Sequence, residues 1–366
     1  MNHINDLYIE NFRGIKDLEL KNLSQFNLLV GKNNVGKTSI LESIELITSP
    51  GDIFQLIATS KGRDRTFSIL SRKLSTVDSV LWTFPVAFYG AVNELVRERI
   101  NLGAKLESGF IECNIECHET SVMDLTNSVK QQENIGEVEE ERAVEIMFRT
   151  KVLNDEVEQK YLITDSQRVM RRDRKNVIFK TNLVSPVDHR VLPISAKAIS
   201  ATIMTGNKNS IINLLQDFDE NIEGIEILDP NGNRSTPYFK HRTMGYVPIT
   251  VYGDGVRRIL TIATAILQSK NGVLLIDEVE TAIHSKLFKK FFDWLVSNCK
   301  DFNVQLFVTT HSLEALDAIL SADTKNLNEL TTYRLEKLLS DSRTYSKRFI
   351  GEDMYSLRYE LGQDVR

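Results

Sequence analysis

The stretch LLVGKNNVGKTSI holds the residues best suited to chemistry. Gly31, Gly36, Lys37 and Thr38 satisfy the spacing G-x-x-x-x-G-K-[ST]. Two glycines let the backbone wrap so that its N–H groups point inward at an anion. A helix starting at Lys37 would add partial positive charge. Lys37 is then placed to reach the β- and γ-phosphates of a nucleotide, and the Thr38 hydroxyl to bind magnesium. Asn33, Asn34 and Ser39 complete the nucleotide-binding loop. The pattern alone recurs in unrelated proteins. Here it follows an apolar strand and opens an amphipathic helix, the context the mechanism requires. A plain glycine-rich turn would leave Lys37 and Thr38 unexplained.

A second constellation is GVLLIDE, where Val273 to Ile276 end in Asp277 and Glu278. A buried strand delivering two acids at its end belongs beside a phosphate loop. Asp277 can hold magnesium, and Glu278 can orient and deprotonate an attacking water. FVTTHS is another apolar strand, ending at His311. A lone histidine is more often structural, but its place after both other motifs favours a functional reading. YGDGVRRIL opens a helix 25 residues before Asp277. Its bland reading is a glycine-capped helix start with Asp254 as N-cap.

These groups need elements to hold them. INDLYIENF and KDLELKNL alternate, whereas FNLLV is continuous and apolar, as a strand buried on both faces should be. Residues 52–105 read as mostly helical, including WTFPVAFYGAVNELV. FIECNIECHE, AVEIMFRTKVL, EQKYLIT and NVIFKTNLV read as antiparallel strands. Ile111, Cys113, Ile115 and Cys117 fall on one face of the first, so a buried strand face outweighs a metal site there. SIINLLQDFDENI spaces Ile211, Leu214, Leu215 and Phe218 as an amphipathic helix. From PITVY at 248 the chain alternates strand and helix, which implies a parallel sheet.

Composition sets the outer bounds. The chain has 366 residues, 42% hydrophobic and 26% charged, with a net charge of −5, an ordinary globular balance. An acidic chain argues against a dedicated DNA-coating surface. QRVMRRDRKNVIFK, with Arg168, Arg171, Arg172, Arg174, Lys175 and Lys180, could touch nucleic acid locally, though a solvated hairpin tip is the commoner cause. Three cysteines in no zinc pattern suit a reducing cytoplasm. No apolar run approaches the roughly 20 residues of a membrane span, and no secretion signal is evident. The expected place is the cytoplasm.

YIENFRGIKDLEL, FNLLVGKNNVGKTSILESI, YGDGVRRIL, GVLLIDEVETAIH and FVTTHS together resemble the RecF/SMC-like ATPase heads. Within these, the chain is most similar to the overcoming-lysogenization-defect (OLD) ATPases and their stand-alone bacterial relatives. The resemblance covers roughly residues 1–50 and 245–320. It implies an α/β P-loop NTPase of the ABC ATPase-head type, two-lobed, with an inserted antiparallel β arm and helical region. The spacing of nearly 240 residues between Thr38 and Asp277 fits the long insertion of that class. The divisions would be an N-terminal lobe at 1–50, the insertion at 51–245 and a C-terminal lobe at 246–366.

The same resemblance implies roles. His311 would contact the γ-phosphate as the switch histidine, completing a catalytic set with Glu278 and Lys37. Arg13 would sit near the nucleotide. Gly253, Asp254, Gly255, Arg257 and Arg258 would form a signature acting on ATP held by a second copy, although Gly253 stands where the usual serine would be. Glu280 to His284 would contact that partner. The glutamine loop of the class has no clear counterpart. Only about 50 residues follow FVTTHS, too few for the TOPRIM nuclease domain of OLD nucleases. ATP and magnesium would drive a homodimer with two sandwiched nucleotides. The output would be control of a separately encoded effector, a nuclease or toxin, in anti-phage defence. A RecF-like DNA-repair ATPase and a plain NTP phosphatase are the alternatives.

Overall fold

A computed structural model of the chain describes residues 2–65, 75–89, 94–123, 140–166, 177–192, 194–206, 208–230, 232, 235–322, 327–338 and 343–364. In chain order the strands are β1 (Asp6–Phe12), β2 (Ile15–Leu20), β3 (Phe26–Gly31), β4 (Val86–Tyr89), β5 (Glu94–Arg97), β6 (Ile100–Leu106), β7 (Gly109–Met123), β8 (Glu140–Val152), β9 (Asp155–Thr164), β10 (Thr181–Val184), β11 (Ile222–Leu228), β12 (Thr236–His241), β13 (Gly245–Pro248), β14 (Val273–Ile276), β15 (Gln305–Thr309), β16 (Leu330–Lys337) and β17 (Thr344–Ile350). The helices are α1 (Lys37–Ile47), α2 (Ile53–Lys61), α3 (Thr76–Leu81), α4 (Asp188–Val191), α5 (Ala196–Met204), α6 (Lys208–Leu215), α7 (Asp254–Gln268), α8 (Phe288–Asp301), α9 (Leu313–Ala322) and α10 (Gly351–Tyr355).

One sheet runs β10-β14-β15-β3-β16-β17. Its first five strands are parallel, and β17 returns antiparallel. The continuous apolar runs explain its double burial. Leu28, Val30, Leu274, Ile276, Leu306 and Val308 point into one core with α7, α8 and α9, while Leu29, Val273, Leu275 and Phe307 point into the other with α1. A fully buried side chain of this kind contributes roughly 1.5–3 kcal/mol. The second sheet, β2-β1-β6-β7-β8-β9, is antiparallel throughout and shares that second core with α1. A smaller sheet, β11-β12-β13, stands before the α7 helix.

Gln305 on β15 fastens the N-terminus to the parallel sheet. Its Oε1 accepts from the amides of His3 (3.1 Å) and Ile4 (2.8 Å), and its Nε2 donates to the carbonyls of Ile4 (2.8 Å) and Ser24 (2.9 Å). All four hydrogen bonds are satisfied, as a fully buried amide requires.

Ile111, Cys113, Ile115 and Cys117 do share a buried face of β7. Three expectations are corrected. WTFPVAFYGAVNELV is not helical: it carries the antiparallel pair β4 and β5, and β6 follows. NVIFKTNLV does not join the antiparallel sheet. Its last four residues form β10, parallel to β14, because neighbouring apolar strand residues do not reveal which strand will pair with them. PITVY is a short 3-10 turn at Ile249–Val251 after β13, not a strand. Of the basic run, Arg168, Arg171, Arg172, Arg174 and Lys175 lie outside the described residues, and Lys180 is exposed beside β10. Among the described residues no helix is long and apolar enough to cross a membrane.

Candidate active site

The phosphate loop connects β3 to α1. Gly31 has φ 142° and Gly36, the N-cap of α1, has φ 102°, both in the region that favours glycine. A Cβ on Gly31 would also collide with the Leu335 carbonyl of β16. Asn34 adopts a left-handed φ of 63°. Lys37 Nζ folds back into the loop and donates to the carbonyls of Gly31 (2.7 Å) and Lys32 (2.9 Å). Burial draws this ammonium down to about 8, against the pull of Asp277, Glu278 and Glu280.

Asp277 immediately follows β14 and meets the loop. Thr38 Oγ1 donates to its Oδ2 at 2.9 Å, across 239 residues of sequence. Thr309 Oγ1, at the end of β15, donates to Oδ1 at 2.5 Å. That same hydroxyl accepts the Glu278 amide at 2.8 Å. Thr309 therefore fixes both acids, and the sequence reading passed over it. The signal was the TT in FVTTHS, a hydroxyl pair placed where an apolar strand reaches polar residues. Glu278 holds an uncommon left-handed φ of 46° and is half-buried. Thr281 Oγ1 donates to its Oε2 at 3.3 Å. The hydroxyl of Thr38 and the carboxylate of Asp277 are hard oxygen donors in contact, a pair suited to magnesium.

His311 is reached through Glu280. Its Oε1 accepts the His311 backbone amide at 2.7 Å. Glu280 thus locks the loop after the acids to the loop after β15. His284, farther along, is exposed and accepts from the Lys286 amide at 3.2 Å.

Arg13 lies one layer behind the loop. Its Nε stands 2.9 Å from Glu42 Oε2, off the hydrogen-bond line, and its Nη2 donates to the Thr59 carbonyl at 2.9 Å. Glu42, buried on α1, also takes two bonds from Arg63, at 2.9 Å and 2.7 Å. Arg63 Nη2 reaches Ser39 Oγ at 3.1 Å. Arg13 is thereby engaged with α1, and Arg63, which no motif in the sequence marks, is the arginine that touches Ser39 of the loop.

The α7 helix carries the other expected residues, and they separate. Gly253, its N-cap, faces open space. Gly255 does not: a Cβ there would lie 2.7 Å from the Phe218 ring and 2.8 Å from the Ala282 carbonyl. Asp254 is the first helical residue rather than the cap. It accepts from Arg257 at 2.5 Å and from Arg190 Nε at 2.7 Å. Arg258, expected at a shared surface, is fully buried. It donates to the carbonyls of Asp277 (3.0 Å), Glu278 (3.3 Å) and Ser185. Burial draws its guanidinium down to about 10. Arg258 therefore clamps the start of α7 to the acid pair and to the loop after β10. That loop, Ser185 to Asp188, occupies the end of the strand beside β14 and contains no glutamine.

Residues 3–181 match the family model described as "AAA ATPase domain". Residues 136–317 match "AAA domain, putative AbiEii toxin, Type IV TA system". An "ATP/GTP phosphatase" of Helicobacter pylori is 24% identical over 348 residues, 86% of this chain and 87% of that protein. The "Uncharacterized protein MJECL11" of Methanocaldococcus jannaschii is 33% identical over 118 residues, 31% of this chain and 98% of that protein. Among solved structures, an SmcHead bound to the C-winged helix domain of ScpA superposes with a TM-score of 0.52 at 11% identity, covering 96% of this chain and 100% of that one. At that identity the likeness is one of fold. The chain has the fold of an ABC-type P-loop ATPase head and belongs to the same family as MJECL11.

Proposed function

We propose that the protein binds ATP with magnesium and hydrolyses it at a site completed by a second copy of the chain. The observation carrying this reading is the bond network Thr38–Asp277–Thr309–Glu278, which fastens phosphate loop, metal-binding acid and catalytic acid into one unit. Magnesium, held by Thr38 and Asp277, would neutralise charge on the transferred phosphate. Lys37 would leave its two loop carbonyls to meet the phosphates. Glu278 would hold the attacking water and take its proton. His311, its backbone held by Glu280, would present its ring to the γ-phosphate. Gly253 leaves the α7 N-terminus open to a nucleotide held by the partner, whose charge that helix end would favour.

The output of this cycle would be regulation of a separately encoded effector in anti-phage defence, in the cytoplasm, as a member of the OLD branch. The toxin–antitoxin description of the matching family model supports this direction. The Helicobacter relative favours a second reading, simple nucleoside-triphosphate hydrolysis without a partner.

The test is light scattering coupled to size exclusion, with ATPase assays. Glu278→Gln should accumulate as an ATP-bound dimer with hydrolysis reduced at least 100-fold, and Lys37→Ala should lose nucleotide binding. Normal turnover by Glu278→Gln would overturn the assignment of the base. Hydrolysis unaffected by protein concentration or by a co-expressed neighbour would select the simple phosphatase.

A further inference from the structure

Among the described residues the parallel sheet ends at β10, with no further strand paired to it. Val273 N donates to the Lys180 carbonyl and Asp277 N to the Val184 carbonyl, both at 2.9 Å. In a parallel ladder every second residue faces the neighbour. Thr181 and Leu183 therefore turn their N–H and C=O groups away from β14. No hydrogen bond among the described residues uses those groups.

Beyond this edge lies a cleft of about 1220 Å³. Gln55 and Thr59 of α2 line one wall, and Ala198 of α5 and Thr264 of α7 line the other. A strand residue advancing ~3.3 Å, beside a neighbour ~4.8 Å away in a layer ~10 Å thick, needs roughly 160 Å³. The four residues needed to cover β10 would take roughly 640 Å³, about half of the cleft.

The charged residues of the lining sort by exposure. Lys180 and Lys197 are exposed, and Arg63, also exposed, is paired with the buried Glu42; Glu45 is half-buried, and Asp188 and Asp277 are buried. At its inner end the cleft reaches Thr38 and Asp277. We propose that the edge of β10 is a docking slot for an extended, acidic segment of a separate polypeptide, which adds to the sheet as a further strand. The short strand and the lysine at its start resist indiscriminate pairing, and an acidic partner relieves that resistance. The partner's end would lie beside the phosphate pocket, so its docking would respond to bound nucleotide. This deepens the reading of the chain as a head controlling another protein, and rests on it for the partner's role.

The probe is a blocked synthetic heptapeptide of alternating glutamate and valine, added to the full chain. Amide hydrogen exchange at Thr181 and Leu183 should slow at least tenfold, in the native sequence and in Lys37→Ala alike. The double variant K180E/K197E should weaken the protection at least tenfold. Thr181→Pro removes an outward donor at a strand start, where proline is tolerated. It should abolish protection while keeping ATP binding, which reports that it folds. No protection at millimolar peptide would overturn the proposal, as would protection indifferent to K180E/K197E or amides already protected without peptide. Protection retained alongside normal hydrolysis by Glu278→Gln would instead sink only the catalytic reading.

Discussion

Titrating the protein with ATP and magnesium at pH 7, 8 and 9 should show proton uptake that grows with pH. The perturbed group is Lys37, which burial draws from 10.5 to about 8 while its ammonium rests on the carbonyls of Gly31 and Lys32. The free site then holds that proton roughly nine times in ten at pH 7, half the time at pH 8 and one time in ten at pH 9. Phosphate oxygens beside Nζ favour the charged form and return it toward its ordinary range. Each nucleotide should take up about 0.1, 0.5 and 0.9 protons respectively, and affinity should fall by up to tenfold per pH unit above 8. Stability moves the other way. Between about pH 8 and 10.5 the unfolded chain holds more of this proton than the folded one, so the free protein gains stability from Lys37 as pH rises through that window. Calorimetry in two buffers of unlike ionisation enthalpy measures the uptake. Lys37→Arg, whose guanidinium stays protonated throughout this range, should remove the pH dependence of the uptake. Uptake that is equal at pH 7 and pH 9 in the native protein would refute the reasoning.

Other outcomes follow from single contacts. Arg258→Met leaves three backbone carbonyls without their cation, at roughly 1–3 kcal/mol each, partly offset by releasing a buried charge; urea unfolding should show a net loss of about 3 kcal/mol. Thr309→Val preserves shape but removes the hydroxyl that joins Asp277 to the Glu278 amide, and kcat should fall roughly 10–100-fold while nucleotide affinity stays nearly constant in binding assays. Gly255→Ala drives a methyl into Phe218 and the Ala282 carbonyl, and thermal unfolding should report roughly 1–3 kcal/mol of destabilisation.

The residues of the phosphate loop and the acid pair were legible because their chemistry demands particular types at fixed spacing. Gly31 and Gly36 need unusual backbone angles, and Asp277 and Glu278 must end a buried strand. Partners across the fold were not legible. Nothing near Arg258 in sequence marks it as a clamp rather than a surface cation, since its three acceptors are backbone carbonyls that every residue possesses. Gly255 reads like Gly253 until Phe218 is seen against it. β10 was recognisable as a strand, yet its neighbour β14 lies about 90 residues away, and register over such distances is decided by packing. The β4–β5 pair was mistaken for a helix because a short apolar run fits either period.

The place of β3 in the sheet bears on how the protein is made. Both its neighbours, β15 and β16, come from beyond residue 304. A ribosome adding about 5–20 residues per second needs roughly 15–55 s to travel from the end of β3 to the start of β15. Through that interval an apolar strand meant for burial on both faces, with both edges unpaired, waits without its permanent neighbours. Exposed strands of this sort recruit chaperones or one another. Truncated nascent chains ending before Gln305 should therefore be bound by chaperones, and release should coincide with synthesis of the last quarter of the chain.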